Sequence, residues 1–222
     1  MTVTPTSVTG AYVGTSGFSY PTWRGGFYPA GAKPAEFLRH YVERLPSVEL
    51  NTSFYRLPSQ DQLERWAAQT PPGFRFAVKM TGAITHLGRV GLASTFCERV
   101  RALGDRLGPV LVQLPETRPR DDGLLTLLLG SLDPELEFAF EFRHPSWADV
   151  EGVLHANTLA APGPFRYLRL REPPYDERAL AAWADRIRPL LDEGVRVYCY
   201  FKHEDEPTAP RYAARLLELL GR

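Results

Sequence analysis

The sequence predicts an α/β fold of the TIM-type (β/α)8-like barrel class, with the sixth strand and its helix shortened or missing. Three observations carry this. Short apolar runs alternate with amphipathic stretches from one end of the chain to the other, the signature of βαβ units and a mainly parallel sheet. Seven clear strands and one weak candidate fit within 222 residues, close to the roughly 250 that eight strand–helix units typically occupy. No glycine-rich phosphate loop follows the first strand, since GTSG at 14–17 is too short for a nucleotide fingerprint.

The elements follow in order. AYVGTS (11–16) is the first strand, and a long loop leads to a helix with Pro34 near its start and Phe37, Leu38, Tyr41, Val42 and Leu45 at helical spacing. SVELN (47–51) is the second strand. Ser59 and Gln62 then read as a capping box opening a helix with Leu63, Trp66 and Ala67 on one face. FRFAVKM (74–80) is the third strand, and Phe96, Val100, Leu103 and Leu107 mark a helix after it. PVLVQLP (109–115) precedes a Leu-rich helix at 121–132. EFAFEFR (137–143) is followed by Ser146, placed to cap a helix over 148–156 that carries Trp147, Val150 and Leu154. NTLAA (157–161) is the weak strand. FRYLRLR (165–171) leads to a helix beginning near Asp176, and VRVYCYF (195–201) to the closing helix with Tyr212, Leu216, Leu217 and Leu220 inward. Residues 1–10 read as a flexible tail and 11–222 as one barrel domain, without repeats or linkers.

Composition narrows the function classes. The chain is 44% hydrophobic and 23% charged, which excludes disorder as the default, and its 26 basic residues balance 26 acidic ones. Nucleic-acid binding therefore requires a local basic patch. Cys97 and Cys199 fit no metal or redox spacing and read as reduced core residues. No stretch reaches the ~20 apolar residues of a membrane span, and MTVTPTSVTG lacks the basic start and apolar run of a signal peptide. A cytoplasmic protein with no membrane partner is expected.

In a parallel barrel the strand C-termini open onto the functional rim, and residues i and i+2 share a face. Polar side chains recur there: Glu49 and Asn51, Lys79, Gln113, Glu141 and Arg143, Arg169 and Arg171, Lys202 and His203. Burying such charges is costly unless they are paired. Ion pairs that close the barrel top are one reading of the pattern, and a ligand site is the other. Alternation puts Glu141 and Arg143 on one face of their strand and Phe140 and Phe142 on the opposite one. The loop GFSYPTWRGGFYP (17–29) adds Tyr20 and Trp23, and TSFYR (52–56) adds Tyr55 and Arg56. Aromatic rings among arginines suit stacking on bases or sugars with phosphate held by the cations; a lid of rings packed over the barrel is the alternative.

Together YVGTSGFSYPTWRGGFYP, VELNTSFYRLPS, FRFAVKMTGAITH, GPVLVQLP, FEFRHPSW, YLRLR and YCYFKHEDE resemble the YecE-like family, domain of unknown function seventy-two, over residues 11–220. The resemblance implies a TIM-barrel-like fold and no established reaction. Similarity to endonuclease IV-like and sugar-isomerase barrels is analogy at the level of the fold. It also implies a helix, a sixth strand with an acidic end and a longer loop between Trp147 and Phe165, where this chain has only ADVEGVLHANTLAAPGP.

Three chemistries fit these residues. The first is acid–base catalysis on a phosphate- or carboxylate-bearing substrate. Glu49, Lys79 and Glu141 would be the catalytic groups, the two carboxylates forming a pair whose environments separate their pKa values. Asn51, Tyr55, Arg56, Gln113, Arg143, Arg169, Lys202, Tyr20 and Trp23 would bind the substrate. The second is recognition of nucleic acid or a phosphorylated metabolite without turnover. The third is metal-dependent hydrolysis, with a divalent ion held by His86, His144 and His203.

Overall fold

The computed structural model of the chain describes residues 8–160, 162–202 and 205–221. Among the described residues seven parallel strands are present: β1 (Ala11–Ser16), β2 (Ser47–Leu50), β3 (Arg75–Lys79), β4 (Leu107–Leu114), β5 (Phe138–Phe142), β6 (Phe165–Leu170) and β7 (Arg196–Phe201). They hydrogen bond in the order β5-β4-β3-β2-β1-β7-β6. Between them lie α1 (Phe37–Val42), α2 (Gln60–Ala68), α3 (Gly82–Thr85), α4 (Ala93–Val100), α5 (Asp122–Ser131), α6 (Glu177–Asp192) and, at the end, α7 (Thr208–Leu220). The fold class is α/β of the TIM-barrel type, with seven strands where the type has eight. Among the described residues no helix is long and apolar enough to cross a membrane.

The chain resolves into two compact units. The first comprises the described residues within 1–49, 69–75 and 157–222; the second comprises 50–68 and 76–156.

In the first unit β1 pairs with β7 and β7 with β6, in the registers Ala11↔Val197 and Phe165↔Arg196. Helix α6 starts at the N-cap Asp176, whose carboxylate accepts the Ala179 N–H, and buries Leu180, Ala184 and Ile187 along one stripe. Helix α7 does the same with Ala213, Leu216, Leu217 and Leu220. One sheet face is filled by tyrosines: Tyr12 stacks on Tyr198 at 4.7 Å, and Tyr167 packs on Tyr200 at 5.4 Å. Buried phenols require partners for their hydroxyls, and those partners form the site described below.

In the second unit β4 pairs with β5 in the register Gln113↔Glu141, and Lys79 of β3 pairs with Leu111 of β4. Ser59 accepts the Gln62 N–H and caps α2, as the capping-box motif predicts. The charge alternation in β5 also has its expected outcome. Phe140 and Phe142 stack on the face away from Glu141, and Phe142 continues onto Trp147 at 4.9 Å.

Two expectations need correction. The helix over 148–156 does not form; the chain makes a short 3-10 turn at Pro145–Trp147 instead. His155 Nε2 lies 2.6 Å from the Val150 carbonyl that a helix would use internally, and Gly152 takes φ +79°. The turn is capped by His144, whose Nδ1 accepts the Ser146 N–H, rather than by Ser146. Nor is 157–160 a strand, residue 161 lying outside the described residues. The strand remnant is three residues earlier. The Phe140 N–H donates to Leu154, the Ala156 N–H donates to Phe140, and His155 bridges β5 in parallel. Asn157, with φ +65°, then donates its N–H to Tyr167 and accepts the Arg169 N–H on its side-chain oxygen.

Candidate functional sites at the strand C-termini

In the first unit the site is built around Glu49, near the end of β2. Ser16 is its register partner on β1 and donates its hydroxyl to Oε1 at 2.8 Å. Tyr167 and Arg169 are two apart on β6, so they share a face, and both reach the same carboxylate. The Tyr167 hydroxyl donates to Oε2 at 2.8 Å, Arg169 Nε donates to Oε2 at 2.9 Å, and Arg169 Nη2 donates to Oε1 at 3.0 Å. Glu49 is 0% exposed and the Arg169 side chain 2%. Burial pushes the carboxyl pKa up, but the Arg169 charge and the hydrogen bonds from Arg169, Ser16 and Tyr167 outweigh it, and the net shift is downward. Tyr167 is shifted strongly upward, by burial first and then by the Glu49 charge. A carboxylate held ionised by four donated hydrogen bonds is a poor proton acceptor. Its arrangement is that of a fixed anion which positions Arg169 and Tyr167.

Tyr20 belongs to the same group. Its hydroxyl donates to the Ser16 carbonyl at 2.7 Å, and its pKa is raised by burial and by the Glu49 charge. The ring lies over Gly17, where a Cβ would fall 2.4 Å from the Tyr20 hydroxyl oxygen and where φ is +93°. Only glycine meets both conditions.

In the second unit Glu141, Gln113 and Lys79 project from one face of β5, β4 and β3, as their registers require. Glu141 is buried and its Oε1 accepts from Gln113 Nε2 at 2.8 Å and from Arg143 Nε at 2.9 Å. Arg143 is 41% exposed, so this pair is open to water on one side. Lys79 Nζ sits 4.2 Å from the centre of the Phe54 ring, a cation–π contact. Phe54 in turn meets His86 edge-on at 4.8 Å and Tyr55 edge-on at 5.1 Å. Arg118 donates Nη2 to the His86 carbonyl. The His86 pKa falls below its ordinary 6.5, first through burial and then through the positive charges of Lys79, Arg118 and Arg143. The imidazole is therefore neutral near pH 7, with its Nδ1 2.9 Å from the Thr85 hydroxyl.

The comparisons with known proteins follow the same lines. A family model described as "Protein of unknown function DUF72" matches residues 12–222. The chain belongs to the DUF72 family. It is 34% identical over 142 residues to the UPF0759 protein YecE of Escherichia coli, a match covering 61% of this chain and 49% of that one. The chain thus spans about half the length of the curated relatives it matches. A DUF72 protein of Thermotoga maritima has a similar structure, with TM-score 0.76 and 25% identity, covering 96% of this chain and 99% of the other. A DUF72 protein of Enterococcus faecalis superimposes with TM-score 0.75 at 16% identity, covering 96% of each chain.

The DUF72 description assigns no reaction, so each residue expected at the rim has to be placed on its own terms. Glu49, Arg169 and Tyr20 meet in one group; Lys79, Gln113, Glu141 and Arg143 lie in another. Glu49 accepts from Ser16, Tyr167 and Arg169, and Glu141 accepts from Gln113 and Arg143. Asn51 is half-buried and its carbonyl accepts the Phe54 N–H. Tyr55 is 87% exposed, and Arg56 beside it is exposed. Trp23 is 0% exposed, packed among Tyr20, Phe27 and Tyr28, so its ring supports the loop and offers no face to a ligand. Lys202 is exposed just past β7, lining a cleft of about 660 Å³ with Pro173, Pro174 and Tyr212, apart from the Glu49 group.

Two of the three expected metal ligands are engaged in local structure, and the third lies outside the described residues. His144 caps its turn, His86 is bonded to Thr85, and His203 lies outside the described residues. Among the described residues no group of three or more His, Cys, Asp or Glu side chains is placed to hold a metal ion.

Sequence reasoning missed Ser16, Tyr167 and Arg118. Tyr167 was within reach of the alternation rule, being two residues before Arg169 on the same face. Arg118 carried no such signal, because it follows β4 in an irregular turn whose carbonyl accepts the Trp147 indole N–H at 2.9 Å.

Proposed function

We propose that this protein binds an anionic substrate at the C-terminal ends of β3, β4 and β5 and acts on it by acid–base chemistry. The observation that carries the reading is the grouping beside His86: Arg118 donates to its carbonyl, Phe54 carries Lys79 on its face and the His86 ring on its edge, and Arg143 stands on Glu141. Cations gathered at the strand ends raise the local concentration of an anion, and a bound anion offsets their mutual repulsion. Gln113 and Glu141 supply the hydrogen-bonding groups beside the cations. A neutral imidazole and a carboxylate are the proton-handling pair, and the arginine forks suit a phosphate or carboxylate group.

The test follows the His86 imidazole by NMR while inorganic phosphate is added, and then measures turnover of p-nitrophenyl phosphate by wild type and by Glu141→Gln. The reading expects the His86 resonances to move and saturate with phosphate, and turnover to be lost in the variant while its melting temperature is retained. Unmoved His86 resonances sink the anion site. Saturable binding with no turnover by the wild-type protein sinks the catalytic part.

A further inference from the structure

Helix α5 is apolar on more than its core face. Leu125 and Leu128 are buried, yet Leu127 is 62% exposed and Leu129 is exposed as well. The 3-10 turn Val90–Leu92 lies against this helix and adds Leu92, 44% exposed. With Leu87 just ahead of that turn, these are four of the five exposed large apolar side chains among the described residues. A single exposed leucine is ordinary, but a concentration of them in one part of the second unit marks an interaction surface.

Between α4 and α5 lies a cleft of about 530 Å³. Gly91 and Gly130 keep it wide, with no atom within 4 Å of where a Cβ would stand on either. Leu127 is one turn ahead of Gly130 and Ser131 and shares their face of α5, and Leu92 follows Gly91 directly. Each wall of the cleft therefore has an exposed leucine beside it.

The cleft is also acidic. Glu98 and Asp133 line it together with Arg101. Arg101 donates Nε to Asp133 at 2.7 Å and Nη2 to Glu135 at 2.6 Å, so cleft and margin hold three carboxylates to one guanidinium. The C-terminal end of α5, at Gly130 and Ser131, adds the negative end of a helix dipole. Arg101 precedes β4, and Asp133 and Glu135 precede β5, so this surface belongs to the N-terminal ends of the strands and is separate from the rim.

We infer that the cleft between α4 and α5 is a docking site for a basic amphipathic helix of another protein, seated by its apolar face on Leu92 and Leu127 and by a Lys or Arg against Glu98 and Asp133. Charge complementarity selects this occupant. A second copy would bring α5 with Asp121 and Asp122 at one end and Asp133 and Glu135 at the other, more carboxylates than cations. A helix laid between two helices buries apolar anchors one turn apart, the spacing that two leucine-edged walls can receive.

The test is calorimetric titration with two synthetic peptides of about 14 residues, roughly four helical turns. One carries leucines along a single helical face with lysines elsewhere, and the other has glutamates in place of the lysines. Wild type, Leu127→Ser and Glu98→Lys are compared; both positions are exposed, and melting curves check the fold. The lysine peptide is expected to saturate wild type and to bind roughly tenfold or more tighter than the glutamate peptide. Leu127→Ser should weaken it roughly tenfold, the scale of one apolar anchor. Glu98→Lys should weaken the lysine peptide and strengthen the glutamate peptide, a reversal that a damaged fold does not produce. No binding, equal affinity for the two peptides, or unchanged affinities in either variant each overturn the inference. Self-association of wild type in sedimentation that Leu127→Ser abolishes also overturns it, by giving the face to a second copy.

Discussion

Arg169 clasps Glu49 through two nitrogens, Nε on Oε2 at 2.9 Å and Nη2 on Oε1 at 3.0 Å, with both side chains almost wholly removed from water. Such a pair is held in place by the cost of breaking it more than by any net gain from forming it. Substitution Arg169→Met leaves a buried carboxylate with its cation gone and is expected to cost about 3–5 kcal/mol in unfolding free energy. The double variant Glu49→Gln with Arg169→Met should lose clearly less than the two single losses added together. Urea denaturation of the four proteins measures this, and strict additivity would show that the two groups are not coupled.

The same carboxylate gives a pH dependence. Its folded pKa is lower than its ordinary 4.5, so in the acid range the unfolded chain binds the extra proton. Stability from Glu49 is therefore complete above about pH 5 and is lost as pH falls below 4.5 through the folded value. Glu49→Gln should flatten that limb of the stability–pH curve. Identical limbs in the two proteins would assign the acid sensitivity elsewhere.

His86 follows the same proton logic in a higher pH range. Its folded pKa is below 6.5, pushed there by burial and three cations, so the imidazole contributes stability above pH 6.5 that is lost as pH falls through the folded value. A bound anion offsets the cations and raises that pKa, so binding takes up protons. Sulfate, whose charge is constant over this range, should bind more tightly as pH falls from 8 towards 6. In His86→Gln that slope should disappear. A slope unchanged by the substitution would place the titrating group outside His86.

Gly82→Ala tests the seat of Phe54. The new methyl would lie 2.8 Å from the ring, and a ring tip can move aside, so the expected loss of stability is small, about 1 kcal/mol. Phosphate affinity should fall several-fold, because Lys79 loses the face on which it rests. An unchanged affinity in a folded variant would mean that Lys79 is positioned without Phe54.

The alternating strands were legible because their pattern is local. FRYLRL, RVYCYF and LGPVLVQL each announce themselves within eight residues, and Ser59 announces α2 through a single hydrogen bond. The segment after Trp147 was not legible for an equally local reason: Val150 and Leu154 keep helical spacing, but the His155 ring takes the Val150 carbonyl and Gly152 turns the chain. At the rim, alternation identified which charges share a strand face, as with Glu141 and Arg143. It could not say that Glu49 meets a residue 120 positions away, nor that Arg118, outside any strand, joins Lys79 and Arg143 around His86.

Asn157 gives the sheet an unusual dependence. The N–H of Arg169 is satisfied by a side-chain amide oxygen at 2.8 Å, where a neighbouring strand would ordinarily supply a peptide carbonyl. Main-chain ladders are normally indifferent to sequence, since every residue brings the same carbonyl. Here one rung is written in a side chain, so a single codon can delete it. Asn157→Ala takes away part of the backbone support of the residue that grips Glu49, and the innermost ion pair of that unit is thereby exposed to mutation at a surface turn.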